Sequence, residues 1–197
     1  VNSARGLDDG FYDTLSLLQR ATVEYFGWIQ DAKGPYSVLV AAAGRSGVLA
    51  ERIDDKVTFE RIDPDRLVDS FVFRLPNVPV GRGIPITTRA TDYVGPTSQD
   101  VGGFRMSHTK PTQPPEARRL AELMRAPRVG GGKLYAAKRD HRGTRVRSAN
   151  WLNVVDIAQQ GRWLVYTTGR GEQSINAVPG TPQTIGTKLI ELHRSLQ

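Results

Sequence analysis

Histidines, paired carboxylates and glycine-rich turns are the residues of this chain with the types and spacings that chemistry uses. The three histidines, His108, His141 and His193, fall in a proline-rich stretch, a turn-like tetrapeptide and the polar side of a terminal helical pattern. None stands in a His-x-x-x-His or Glu-x-x-His spacing, so no metal site is expected. Cysteine is absent, which excludes disulfides, thiolate-ligated zinc, iron–sulfur clusters and thiol nucleophiles, and is compatible with a reducing cytoplasm. The run Val129-Gly130-Gly131-Gly132-Lys133-Leu134 suggests a phosphate loop, but it lacks the first glycine at the required distance and a Ser or Thr after the lysine. It reads as a hinge that stops a helix. Gly44-Arg45-Ser46-Gly47 lacks the spacing of a nucleophile elbow and reads as a hairpin turn. The acid pairs Asp8-Asp9 and Asp54-Asp55 sit where caps and turns use aspartate for local hydrogen bonds. No nucleophile, base or metal constellation emerges, so the expectation is a binding protein without cofactor rather than an enzyme.

Charge is concentrated in one region. Of a net +7, residues 105–147 carry 12 Lys/Arg against 3 Asp/Glu, leaving the rest of the chain slightly acidic. Such a segment could hold nucleic acid by counterion release. A solvated basic loop, or a dock for an acidic protein, is the reading preferred here, because Tyr135 is the segment's one aromatic beyond Phe104 and stacking surfaces interleave several. Nucleic-acid binding through 105–147 stands as the alternative. The longest apolar run, Val38 to Ala43, is far shorter than the ~20 residues of a membrane-spanning helix.

The elements that must position these residues follow from periodicity. A helix is expected from Asp8 onward, capped by Asp8 or Asp9, with Phe11, Leu15, Leu17, Leu18 and Ala21 inward. Strands are expected over 23–30, 36–43, 47–53 and 56–62, joined by short turns as an antiparallel meander, with Val57, Phe59 and Arg61 alternating against Thr58, Glu60 and Ile62. A second helix begins at Asp63-Pro64, carries Leu67, Val68, Phe71, Val72 and Leu75, and ends before Pro76. Residues 76–115 are rich in proline and glycine; Ile84–Tyr93 is the one extended candidate, and 95–115 reads as a flexible linker. A third helix runs from Pro115 to Arg125 with Ala117, Leu120, Leu123 and Met124 inward. Strands follow at 133–139, 148–155, 162–168 and 173–178, and a last helix is capped by Thr181, with Ile185, Leu189, Leu192 and Leu196 on one stripe. Trp151, Trp163 and Tyr166 are placed on successive strands, as core or as protein-binding aromatics.

Both halves therefore read helix, four strands, helix. The fold expected is α+β: a pseudo-twofold repeat of helix, antiparallel meander and helix, merged into one central, mostly antiparallel sheet with helices packed on it. Within that single domain, 1–93 is the first half, 94–115 the linker and 116–197 the second half.

The run Val154-Val155-Asp156-Ile157-Ala158-Gln159-Gln160-Gly161-Arg162-Trp163-Leu164-Val165, then Pro179-Gly180-Thr181-Pro182 and a leucine-rich helix, resembles the C-terminal signature of the EspG proteins. The first half is similar too: the Val1-Asn2-Ser3-Ala4 opening, Gln19-Arg20-Ala21-Thr22 at a helix end, and strands at Leu39-Val40-Ala41-Ala42 and Val57-Thr58-Phe59 follow in that family's order. The chain departs from the family in its proline-rich middle and in beginning without the strand and helix that usually precede the first helix. The resemblance implies a cytoplasmic specificity chaperone that binds the apolar helical tip of the PPE subunit of a PE–PPE heterodimer, keeping it soluble for the ESX type VII secretion machinery. It also implies that the tip meets the sheet face and the second-half helices, with strands 133–139 and 148–155 as the surface. Arg142, Arg145 and Arg147 are expected to meet acidic or carbonyl groups there, and Trp151 to anchor the contact. A sheet edge left open by the missing strand is expected to pair with another copy as a homodimer.

Overall fold

The computed structural model describes residues 9–94 and 113–196. The Asp8 cap, His108 and residues 95–112 of the expected linker lie outside them. Helix α1 (Asp9–Arg20) leads into four strands, β1 (Val23–Asp31), β2 (Gly34–Ala43), β3 (Ser46–Ile53) and β4 (Lys56–Ile62). The three hairpins close through two-residue turns, the tightest link between antiparallel strands. At the first turn the Asp31 carboxylate accepts from the backbone N–H groups of Lys33 and Gly34, at 2.7 and 3.1 Å. A 3₁₀ turn at Pro64–Arg66, capped by the Asp63 side chain, opens α2 (Leu67–Phe73). After β5 (Ile86–Arg89) come α3 (Pro115–Arg125), β6 (Arg128–Arg139), β7 (Arg145–Arg147), β8 (Leu152–Ile157), β9 (Gly161–Thr168), β10 (Ser174–Pro179) and α4 (Pro182–Arg194), the last capped by the Thr181 hydroxyl at the Thr184 N–H.

All ten strands form one sheet in the order β4-β3-β2-β1-β6-β8-β9-β10-β5, with β7 pairing β6 off that path. The named strand pairs are antiparallel, and the two meanders meet at a central β1–β6 seam in which Gly27 lies opposite Leu134. The expected pseudo-twofold is visible in the layers. On one face, α2 and α4 pack side by side over Tyr25, Ile29, Val38, Val40, Leu134, Ala136, Leu152, Val154 and Leu164, with Phe71, Ile185 and Leu189 as the helical contribution. On the other face α1 and α3 stand apart. Leu17 and Ala21 of α1 cover Ala41 and Val48, whereas Leu120 and Leu123 of α3 cover Ile86, Val155, Ile157, Trp163 and Val165. β5, drawn from the first half of the sequence, completes the far edge against β10.

Several expectations need correction. Leu15 lies on the outer side of α1, because Leu17 and Ala21 take the sheet-facing positions. β4 is an edge strand exposed from Lys56 to Arg61, so its alternation sorts no core; Ile62 is the residue that packs inward. The triple glycine is no hinge but the early part of β6, where it lets that strand run closely between β1 and β8. A Cβ on Gly131, whose φ is +146°, would lie 2.4 Å from the Val154 carbonyl oxygen, and one on Gly132 would lie 2.6 Å from that of Trp28. The strand expected at 148–155 is split: Ser148–Trp151 leave the ladder between β7 and β8. Trp163 and Tyr166 share β9 on opposite faces, and Trp151 precedes β8.

The Asp156-to-Gly161-Arg162 signature has a direct physical basis. Asp156 and Arg162 are cross-strand partners in the β8–β9 hairpin, and their buried side chains form a two-pronged ion pair, Nε to Oδ1 and Nη2 to Oδ2, each 2.7 Å. The Arg162 carbonyl accepts from the N–H groups of Gly81 and Gly180, and its own N–H donates to the Pro79 carbonyl. One residue thus ties β9 to the proline-rich connection and to the start of α4. A buried charge pair persists only when its hydrogen bonds are this complete.

Candidate functional site

Side chains alternate across a strand, so Glu24, Phe26 and Trp28 of β1 leave the core face occupied by Tyr25 and Ile29 and point to the opposite one. Across the seam the register sets Phe26 opposite Tyr135 and Trp28 opposite Lys133. This is the stretch of sheet lying between α1 and α3. The rings of Phe26 and Tyr135 stack at 5.3 Å, and Trp28 meets both edge-on at 5.5 and 5.4 Å. Trp151, delivered by the break before β8, joins Tyr135 at 6.3 Å. Phe26 and Tyr135 are buried, whereas Trp28 is 55% and Trp151 39% exposed.

Cations lie over the rings. Arg145 sits 4.5 Å from the Phe26 centroid, Arg147 4.8 Å from that of Tyr135, and Lys133 5.2 Å from that of Trp151. Such contacts contribute about 0.5–1 kcal/mol each at exposed sites. Arg145 also donates from Nε to the Glu24 carboxylate at 2.7 Å, and that carboxylate is only 4% exposed. Arg147 and Lys133 form no ion pair among the described residues. The result is a strip of aromatic surface with a positive rim, two of whose cations are available to an acidic partner. Arg139 bounds it, donating to the Leu18 carbonyl near the end of α1 and to that of Gly143.

Of the four residues singled out from sequence, Arg145, Arg147 and Trp151 come together on this strip. Arg142 does not: it lies exposed in the turn between β6 and β7, where its backbone N–H donates to Asp140 and its guanidinium covers no ring among the described residues. The expected strands contribute Lys133 and Tyr135. Glu24, Phe26, Trp28 and Lys133 escaped sequence reasoning, although Glu24-x-Phe26-x-Trp28 shares one face of a strand and was the signal to use. Trp163, by contrast, is a core residue under α3.

The opposite face holds an open groove of about 1150 Å³ between α2 and α4, lined by Val68, Val72, Phe73, Ile185 and Ile190 among others. Of its charged residues, Asp65, Arg66 and Asp69 lie at and just before the start of α2 and Arg162 lies on β9, paired with Asp156, and they gather no nucleophile beside a base. Among the described residues no cluster of three or more His, Asp or Glu side chains is placed to hold a metal ion. No helix among them is long and apolar enough to cross a membrane. His193 packs against Tyr25 with ring centroids 6.0 Å apart, and burial lowers its pKa below the ordinary histidine value.

Comparison with known proteins agrees with the architecture. A solved structure of the Mycobacterium tuberculosis type VII secretion system chaperone EspG5 in complex with a PE25–PPE41 dimer superposes with a TM-score of 0.66 at 13% identity, covering 95% of this chain and 78% of that one. At that identity the likeness speaks for the fold. No curated protein matches the sequence. The family model of the EspG family matches residues 1–191, nearly the whole chain, and the chain belongs to the EspG family.

Proposed function

We propose that this chain is a cytoplasmic specificity chaperone for a PE–PPE heterodimer, and that it binds rather than catalyses. It docks the apolar helical tip of the PPE subunit on the strip between α1 and α3. One observation carries this reading: the stretch of sheet left between α1 and α3 holds four aromatic rings that pack on one another, two of them open to water. A client tip that would aggregate if left bare gains by removing its apolar area from water against such rings. Trp28 and Trp151 serve as anchors, while Arg147 and Lys133 receive acidic side chains or helix-end carbonyls of the client. Passage of the soluble pair to the ESX machinery follows as the downstream step.

A single-stranded nucleic acid is the weaker reading of the same strip. Stacking platforms offer bare ring faces to bases, whereas Phe26 and Tyr135 are buried and their faces are capped by Arg145 and Arg147. The test is co-expression with PE–PPE pairs encoded near this gene, followed by affinity capture and native mass measurement. A 1:1:1 complex, lost on Trp28→Ala with Trp151→Ala, is the expected result. Failure of every pair, with co-purification of a salt-sensitive nucleic acid instead, refutes it.

A further inference from the structure

The face opposite the aromatic strip carries an apolar knob beside an apolar groove. Phe73, at the end of α2, is 86% exposed, more than any other large apolar side chain among the described residues. It stands at the mouth of the groove between α2 and α4, where Val78, Val80, Pro182 and Ile185 supply apolar wall. A lone exposed apolar side chain is ordinary, but one that borders an open apolar groove marks an interaction surface.

The shape of this face follows from the pseudo-twofold. Because β1 and β6 are antiparallel, β4 and β10 end their meanders pointing opposite ways, and α2 and α4 therefore lie antiparallel. Leu67 and Phe71 of α2 and their counterparts Ile185 and Leu189 of α4 are buried on the sheet. The two helices touch where Val68 meets its counterpart Gly186, on which a Cβ would lie 2.9 Å from Val68 Cγ1. Outward from that contact, Asp65, Asp69 and Phe73 form one exposed ridge at i, i+4 and i+8, and Gln183, Thr187 and Arg194 occupy the matching exposed positions along α4. Asp69 lies 3.6 Å from Arg66, whereas Asp65 and Arg194 form no ion pair among the described residues. The residues after α2 lie beside the start of α4, since Gly81 and Gly180 both donate to the Arg162 carbonyl. A second copy turned about an axis parallel to the helices lays α2 of each copy antiparallel on α4 of the other. Phe73 then enters the other copy's groove near Val80 and Pro182, and Asp65 approaches the end of α4 that carries Arg194. Each contact forms twice, and opposite charges meet in a chain whose net +7 otherwise makes copies repel. An axis across the helices would instead set the acidic turn of α2 on itself. At 1.5 Å per residue and ~10 Å of width, the 10 residues of α2 with its 3₁₀ turn and the 13 of α4 offer roughly 350 Å² of face per copy, below the ~800 Å² per partner of a standard interface, so the pairing is weak.

We propose that α2 and α4 form a self-docking face through which two copies of this chain join in a weak dimer, Phe73 of each seated in the groove of the other. This stands independently of the PE–PPE reading, because the aromatic strip lies on the opposite face of the sheet and stays free in such a dimer.

The test is the solution mass of the 197-residue chain, by light scattering and sedimentation across a dilution series that starts in the millimolar range. The expected result is a species of twice the 21.7 kDa chain mass that dissociates on dilution. Phe73→Ser removes the knob and abolishes pairing. Asp65→Arg sets like charges against each other twice and weakens the dimer by roughly 5–30-fold. Combining it with Arg194→Asp swaps the signs and restores the dimer to within about threefold. All three positions are exposed, and circular dichroism with thermal melting confirms that each variant is folded. A monomer at every concentration overturns the proposal, and so does a dimer that survives Phe73→Ser or that the charge swap fails to restore.

Discussion

Trp28→Ala removes an indole whose inner edge touches Phe26 and Tyr135 and whose outer half faces water. The exposed 55% of this side chain corresponds to about 100 Å² that a partner would cover, since large aromatics present roughly 150–250 Å². At about 25 cal/mol per Å² that is ~2.5 kcal/mol, and incomplete coverage brings it to ~2 kcal/mol. Affinity for the PE–PPE client is therefore expected to fall about 30-fold, measured by isothermal titration calorimetry with the purified pair. The lost edge-on contacts cost about 1–1.5 kcal/mol of folding stability, which lowers the melting temperature by roughly 3–5 °C and leaves the protein folded at the assay temperature. An affinity within about threefold of the parent, in a variant that melts cooperatively, would show that the aromatic strip is not the docking surface.

The Asp156–Arg162 pair is buried and doubly bonded, so Asp156→Ala leaves a guanidinium without its carboxylate; a loss of about 3–5 kcal/mol is expected in urea unfolding, while replacing both partners by apolar residues recovers much of it. Gly131→Ala must push the β6–β8 ladder apart and adopt a φ that L residues avoid, and is expected to cost at least about 2 kcal/mol in the same assay. For His193, burial depresses the folded-state pKa below 6.5, so the unfolded chain binds the proton more readily and stability is lost as pH falls below 6.5 toward the folded value. His193→Leu is expected to flatten that part of the stability–pH curve, read from melting temperatures between pH 5 and 7, a range set by the ordinary histidine pKa.

The elements were legible where local chemistry alone decides them. Asp63 and Thr181 announce helix starts through side chains that bond the first turn, and Lys33-Gly34-Pro35, Gly44–Gly47 and Asp54-Asp55 announce hairpins, although Gly34 and Pro35 belong to β2 and the first turn is at 32–33. The mistakes arose where a distant strand decides. Nothing near Gly130–Gly132 shows that β1 and β8 will close on both sides and demand glycine there, so the run looked like a helix stop. Likewise the alternation of β4 is as regular as that of a buried strand, but its position at the sheet edge depends on strand order. The candidate site was half legible. Arg145 and Arg147 stand out through the basic stretch and Trp151 as an aromatic on a neighbouring strand, whereas Phe26 and Trp28 sit unmarked in the first strand, because only the placement of α1 and α3 leaves their face uncovered. Arg142 shared the basic composition but sits in a turn that carries it away from the rings.

The β1–β6 seam joins residues more than a hundred positions apart, such as Glu24 and Ala137, whereas the hairpins on either side are local. Loop-closure entropy delays such a long-range pairing until its two meanders have largely formed. The seam is thus expected to close late in refolding, and amides on β1 and β6 that protect after those of the flanking hairpins in pulsed hydrogen exchange would mark it. Phe26 and Trp28 come from one side of the seam and Lys133 and Tyr135 from the other, so the aromatic strip does not exist in either half alone. On the proposed docking, a newly made chain would complete the strip only once the seam closes, and half-folded copies would be unable to capture a client.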